Sequence, residues 1–299
     1  MVVLYKLLPV GSRAFTSLHA AIGFQSHDGA DVTILIYDNT PGGQDAGMLP
    51  SGVLYKPDTT NAGLAAAYNY ALKVANEKGY SWLLTLDQDT TLPADFMRKL
   101  IDTIKLASPL ETVAAIVPIV SSDGRIISPC IPSRNWTVMK NVPKGFSGVS
   151  PEMVYAINSA VSMRVSALMR LGGYDSRFFA DFSDYVMFWR IHQSGLQVFV
   201  AGDITVEHEL SVLSLKNRTT STRYEQIHRA EEAFYDEYLG RAAGLVLLLR
   251  LFHRLMFKLW RAGASLSYFK IDLRFICRRV FYSRTRRVRS WEESNRLSN

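Results

Sequence analysis

Residues 83–93 read LLTLDQDTTLP: an apolar run, two aspartates around one glutamine, then two threonines, a leucine and a proline. With Trp82 in front, the run has the character of a buried strand. Strands end in turns, turns favour Asp, and Thr-Leu-Pro is the approach to a helix, which is one reading of Asp87 and Asp89. The other reading is chemical. Two carboxylates at the carboxyl end of a parallel strand sit where open α/β sheets bind ligands. They suit a hard divalent cation that bridges to substrate phosphates.

The surrounding segments supply the context that either reading needs. Val2–Tyr5, Val32–Tyr37, Val53–Tyr55, Ser81–Leu86 and Val113–Val120 have strand composition; Asn61–Glu77 and Pro93–Lys105 have helix composition. Strands separated by helices predict βαβ crossovers and a largely parallel sheet. Residues 121–151, rich in Ser, Pro, Gly and Asn, predict a long loop or a pair of short strands. Val154–Arg164 is strand-like, Val165–Leu171 a short helix, Gln197–Ala201 and Thr205–Glu207 further strands, and 222–239 a charged helix.

The chain has 299 residues and 48% hydrophobic content, enough for one large domain with an appendage. Two distant cysteines, Cys130 and Cys277, offer no disulfide framework and predict a reducing compartment. MVVLYKLLPV lacks the parts of a secretory signal, so a cytoplasmic protein is expected. Charge is uneven. From Arg241 onward 14 Lys/Arg face three acids, a balance of +11, so residues 1–240 carry −4 of the net +7.

Three segments of the first half place polar groups near predicted strand or helix ends. Asp38 and Asn39, in YDNTPGG, are either hydrogen-bonding partners for a base and ribose or an ordinary Asx turn. Asn61 and Gly63 precede a helix with small residues Ala65, Ala66 and Ala67, where a ligand can approach the backbone and an anion is favoured. This segment is neither G-x-G-x-x-G nor a Walker loop. An Ala-rich helix packed on a sheet explains it equally well. The third segment is Asp87-Gln88-Asp89.

Taken in this order, the segments resemble V-D-N-S, N-x-G-x-A-x-A-x-N and L-D-Q-D-S of inverting family 2 glycosyltransferases of the GT-A fold, in particular their bacterial rhamnosyltransferase branch. Residues 172–195, GGYDSRFFADFSDYVMFWRIHQSG, resemble the GGFDExFFIDYVDTEWCLRAxxxG block of that family without a gap. The resemblance spans roughly residues 1–240. It implies a GT-A nucleotide-diphospho-sugar transferase fold, with a nucleotide-sugar half (1–120), an acceptor half (121–240) and a helical basic extension (241–299).

The resemblance also implies roles. Asp87 and Asp89 fall on the metal-binding D-x-D, with Mg2+ or Mn2+ as cofactor, and His208 on a histidine that completes the metal shell or contacts the diphosphate. Asp184 falls on the general base, with Asp181 a second candidate carboxylate. Tyr5, Asp38, Asn39, Asn61, Gly63, Ala66, Asp87 and Gln88 fall on the donor site. The chain departs from the pattern at Lys6, where Asn is usual, at Val186, where Glu is usual, and at His228, where Arg is usual after Arg223-Tyr224. The implied reaction moves L-rhamnose from dTDP-L-rhamnose, with UDP-galactose or UDP-N-acetylglucosamine as alternative donors. The implied acceptor is an oligosaccharide or a glycan on a polyprenyl-diphosphate carrier.

The C-terminal stretch GLVLLLRLFHRLMFKLWRAG sets Arg250, Arg254 and Lys258 four apart among Leu, Phe, Met and Trp. A basic stripe on an apolar helix predicts a segment lying in a membrane interface, and the family resemblance implies that this is the cytoplasmic leaflet. RRVFYSRTRRVR adds six arginines, which attract anionic head groups. The competing reading is a packed helical hairpin with a solvated basic face. A basic protein that binds membrane or nucleic acid, its α/β domain inert, is a further reading. The charge map argues against it, since the excess positive charge lies outside the domain that holds the carboxylates. The family resemblance, which implies lipid-linked acceptors, favours membrane over nucleic acid.

Overall fold

The computed structural model describes residues 1–23, 30–133, 139–208, 220–260 and 266–298. It divides into two compact units, Met1–Ile131 with Lys140–Glu209, and Pro132–Met139 with Leu210–Asn299.

The first unit is built on one sheet. Strands β1 (Val2–Leu4), β2 (Leu35–Asp38), β3 (Leu54–Pro57) and β4 (Trp82–Asp87) lie parallel in the order β3-β2-β1-β4. Of the later strands, β5 is Thr90–Thr91, β6 Val113–Ser122, β7 Arg125–Ser128 and β8 Cys130–Pro132. Then come β9 (Met139–Asn141), β10 (Gly148–Val149), β11 (Val161–Arg164) and β12 (Gln197–His208). Beyond β4 the order continues β11-β6-β12-β10. Strand β11 is antiparallel to both β4 and β6, whereas β6 and β12 are parallel. Mixed pairing is confined to this half of a mostly parallel sheet. Central strand β6 is buried along almost its whole length, which is why VAAIVPIV shows no alternation. Leu4, Ile36, Leu86, Phe96 and Ile116 form the heart of the core.

Helices α1 (Arg13–Gly23), α2 (Leu64–Glu77), α3 (Phe96–Ala107), α4 (Val165–Arg170) and α5 (Ser183–Gln193) accompany the sheet. Helix α1 was not expected, although Ala14, Phe15, Leu18 and Ala21 bury one face and the Ser12 hydroxyl accepts from the Phe15 amide. Three expectations need correcting. Val154–Arg164 is a strand only from Val161, because Tyr155 pairs with Cys130 and Ala160 adopts a positive φ of 64°. The two expected strands at 197–201 and 205–207 are one, β12, with a register shift between Ala201 and Thr205. There a Cβ on Gly202 would lie 2.0 Å from the Phe146 carbonyl oxygen, so the kink requires glycine. The described residues of 121–151 hold four short strands rather than a pair.

The second unit is helical: α6 (Ser221–Phe234), a π-helical turn (Tyr235–Leu239), α7 (Gly240–Trp260), α8 (Leu266–Phe281) and α9 (Arg284–Ser298). Its interior is ionic as well as apolar. Arg254 binds Glu231 at 2.7 and 2.9 Å, and Lys258 reaches Asp272 at 2.5 Å. Arg278 binds Glu232 at 2.9 Å, while Arg279 and Arg287 reach Asp236 at 3.0 and 2.8 Å. Gly244 leaves room for this network, since a Cβ there would lie 2.7 Å from the Arg279 guanidinium. The expected basic stripe of α7 is therefore largely spent on internal pairs. So are Arg278, Arg279 and Arg287 of the arginine run. Helix α6 belongs to this unit, so the compact division falls before residue 240. The acids of α6 meet the cations of α7, α8 and α9, and that pairing is invisible to composition.

Candidate active site

Asp87 closes β4, and parallel pairing with β1 sets it beside Val3 at the carboxyl end of the sheet. Two residues on, the chain reverses into β5, which pairs antiparallel with the end of β12 and sets His208 opposite Thr90. That pairing brings Asp89, Thr90 and His208 together. His208 Nδ1 lies 3.3 Å from Asp89 Oδ1 and 3.3 Å from the Thr90 hydroxyl. Ser159, fully buried, donates to Asp87 Oδ2 at 2.8 Å and lies 3.2 Å from His208 Nδ1. Tyr68, also fully buried, donates to Asp87 Oδ1 at 3.3 Å. Burial, reinforced by the Asp87 charge, holds the Tyr68 phenol well above its ordinary range. Ser159 and Tyr68 escaped sequence reasoning. Nothing in INSAVS or AAAYN marks them apart from ordinary core positions.

Burial and the nearby Asp87 raise the Asp89 pKa, and the His208 ring opposes this. Two carboxylates and an imidazole are donors that Mg2+ and Mn2+ accept. A cation is also the ligand that would relieve two acids held so close. Among the described residues, however, no three His, Cys, Asp or Glu side chains are gathered around one point as they stand. The Nδ1 of His208 is instead occupied by its protein neighbours.

Asp184 lies in the first turn of α5, where the helix dipole favours a carboxylate. It does not cap the helix. The cap position belongs to Phe182, with a φ of 64°, while Asp184 Oδ1 accepts from the Tyr185 amide at 2.8 Å. Its pKa is pushed up to about 7, mainly by burial and further by the charges of Asp87 and Asp181. The β4 end and the start of α5 therefore share one electrostatic environment.

The remaining expected residues divide by what occupies them. Asp38 is buried, with one oxygen accepting from the Thr40 amide at 3.0 Å and the other from the Tyr55 hydroxyl at 2.5 Å. This is the Asx turn rather than an open acceptor. Asn39 is buried too, and its Oδ1 has no hydrogen-bond partner among the described residues. Tyr5 is exposed, and its amide donates to Gln88 Oε1 at 2.8 Å, which engages the Gln88 side chain in holding the loop. Asn61 has a φ of 56° and leads into Gly63 at 91°. At Gly63, which was expected to let a ligand approach, the absence of a side chain makes room for the protein's own chain. A Cβ there would lie 2.4 Å from the Phe179 carbonyl oxygen, which accepts from the Leu64 amide. The close neighbour is the 172–195 block. Asn69 ties the same surfaces by bonding both the amide and the carbonyl of Tyr174. Ala66 is half-buried on α2. His228, buried in the second unit, lies 3.1 Å from Asp272 and serves that network.

Residues 29–172 match the family model described as Glycosyl transferase family 2. No curated protein sequence matches the chain. Among solved structures, GalNAc-T7 with UDP, GalNAc and Mn2+ superposes with a TM-score of 0.54 at 13% identity, covering 94% of this chain and 55% of that one. S. aureus TarS 1–349 gives 0.52 at 12% identity, covering 100% of this chain and 91% of that one. S. aureus TarS gives 0.56 at 11% identity, covering 100% and 52%. The chain thus spans about half the length of two of these proteins. At such identities the likeness bears on the fold, which is that of GT-A proteins.

Proposed function

We propose that this chain, whose residues 29–172 match the Glycosyl transferase family 2 model, is a glycosyltransferase that moves a sugar from a nucleotide diphosphate to a hydroxyl acceptor with inversion. The observation that carries the reading is the cluster at the carboxyl ends of the strands. Asp87, Ser159, His208 and Asp89 form one connected group, and Asp184 is near enough to feel the Asp87 charge. In the reaction the acceptor oxygen attacks the anomeric carbon, and Asp184 takes the hydroxyl proton. The bond from that carbon to the diphosphate oxygen breaks, and its electron pair leaves with the nucleotide. A carboxyl that titrates near neutrality is suited to receive this proton. Asp87, Asp89 and His208 are the residues that would hold a divalent cation, which supplies positive charge to the leaving diphosphate.

The motif resemblance favours dTDP-L-rhamnose as donor and a lipid-linked glycan as acceptor. A UDP-sugar donor is the second reading, favoured by the likeness to a fold solved with UDP and Mn2+. The enzyme would then work at the cytoplasmic leaflet as a peripheral protein. Turnover of a panel of dTDP- and UDP-sugars with a polyprenyl-diphosphate-linked acceptor, with and without Mn2+ or Mg2+, tests the reading. Asp89→Ala should leave the fold intact and abolish the cation-dependent rise in melting temperature on nucleotide binding. Activity indifferent both to EDTA and to this substitution would reject the metal assignment.

A further inference from the structure

Helix α7 is polar in the wrong direction for water. Ala243, Leu247, Leu251 and Leu255, four residues apart, are buried and form its packing seam. The flanking Arg254 and Lys258 turn to Glu231 and Asp272. The outward side carries Leu245, Leu249, Phe252, Met256 and Trp260, three or four residues apart, at 60%, 61%, 44%, 59% and 83% exposure. A surface helix in water shows the reverse order. Unpartnered apolar side chains in such a row mark a surface that meets a non-aqueous phase or a partner.

Charge selects between the two. In the second unit, among the described side chains, the buried acids are spent on internal pairs and Glu293 is the exposed carboxylate. Arg241, Lys270, Arg274, Arg284, Arg286 and Arg289 are exposed. Beside the apolar row a shallow cavity of about 420 Å³ is lined by Val246, Leu249, Arg250, His253 and Arg254. Arg250 donates to the Tyr235 hydroxyl at 2.5 Å and has no carboxylate partner among the described residues. A guanidinium with a neutral partner, next to exposed leucines, fits a phosphate with an acyl chain attached. No described helix is long and apolar enough to cross a membrane.

We infer that the outer face of α7 lies in the interface of an anionic membrane, with Leu245, Leu249, Phe252, Met256 and Trp260 among the acyl chains and Arg250 at a lipid phosphate. This deepens the proposed membrane-side transferase and rests on that reading only for its purpose. The contact itself is read without any sugar nucleotide. It also reassigns the contact: Arg254 and Lys258 of the cationic stripe are held by Glu231 and Asp272, Arg250 is the member of the stripe that reaches the lipid, and the apolar side of the helix is the main binding surface.

The test uses the full chain with vesicles of phosphatidylcholine, alone or mixed with phosphatidylglycerol. Wild type should sediment with the mixed vesicles, and high salt should weaken this only in part, since the apolar contribution is unscreened. Brominated lipids should quench a fluorescence component that disappears in Trp260→Phe. Leu249→Asp with Met256→Asp should lower partitioning at least about tenfold while melting temperature and helicity stay unchanged. Arg250→Gln should lower it about fivefold on mixed vesicles and little on neutral ones. Should the double variant fail to fold, the quenching of wild type against Trp260→Phe decides. Wild type that ignores mixed vesicles, or a folded double variant that binds them as well as wild type, overturns the inference. So does a dimer that the double variant dissociates, which would make the face a contact between copies. Vesicle binding without turnover of any donor would instead count against the transferase reading alone.

Discussion

A carboxyl that keeps its proton to about pH 7 does two things, and Asp184 should show both. In catalysis, Asp184→Asn preserves size but cannot accept a proton, so turnover should fall about 10²-fold or more while nucleotide binding survives. Near-normal turnover in this variant, with loss in Asp181→Asn, would reassign the base. In stability, the folded chain holds a proton between about pH 4 and 7 that the unfolded chain has released, so stability falls as pH rises through that window. Asp184→Asn should therefore melt higher than wild type at pH 8, by no more than about 4 kcal/mol, and equally at pH 3.5. Melting curves at the two pH values check the sign. Ser159 is a different case, since its hydroxyl bridges Asp87 to His208 from a buried position. Ser159→Ala should leave the melting temperature nearly unchanged and reduce turnover roughly tenfold, as when a residue that orients a metal ligand is lost. A matching drop in Mn2+ affinity would separate this from a packing effect.

Among the elements, the short β5 matters out of proportion to its length. Its pairing with β12 closes the loop after Asp89 onto His208. Gly63 and Asn69 on one side, and Phe179 and Tyr174 on the other, join the start of α2 to the segment that carries Asp184. In the second unit the corresponding element is α6 with the π-helical turn after it, whose acids anchor the three helices that follow. Asp236 accepts from Arg279 and Arg287, with all three nearly out of water. Asp236→Asn leaves two buried guanidiniums short of a negative charge and should cost about 3–5 kcal/mol. Urea unfolding that changes by less than 1 kcal/mol (roughly the worth of an exposed pair) would show that the network is solvated.

Across the two units, the charge map of the chain takes on a new meaning. The excess of positive charge after residue 240 is partly a counterweight to α6. A chain ending at 240 would keep α6 but lose the cations and apolar surfaces that cover it. It should aggregate, visible as light scattering on concentration. A chain ending at 209 should instead give a cooperative melt and keep its nucleotide-dependent shift. If the longer chain were the better behaved, α6 would draw its stability from elsewhere.

Local pattern made much of this legible. Parallel strands and the acids at the end of β4 follow from periodicity and turn chemistry, which neighbours along the chain impose, while the block from Gly172 to Gly195 was singled out by its resemblance to a family motif. The stretch that matches the family 2 model, residues 29–172, includes the first three motifs, around Asp38, Asn61 and Asp87. Long-range pairing decided the rest. His208 meets Asp89, and Ser159 meets both Asp87 and His208, because strands far apart in sequence share an end of the sheet. Whether Arg254 faces water or Glu231 is likewise a question of which helix packs on which. A stripe of cations looks the same in sequence whether a membrane or a buried carboxylate neutralises it. In this fold Glu231 neutralises Arg254, because α6 meets α7 on the side away from the exposed leucines.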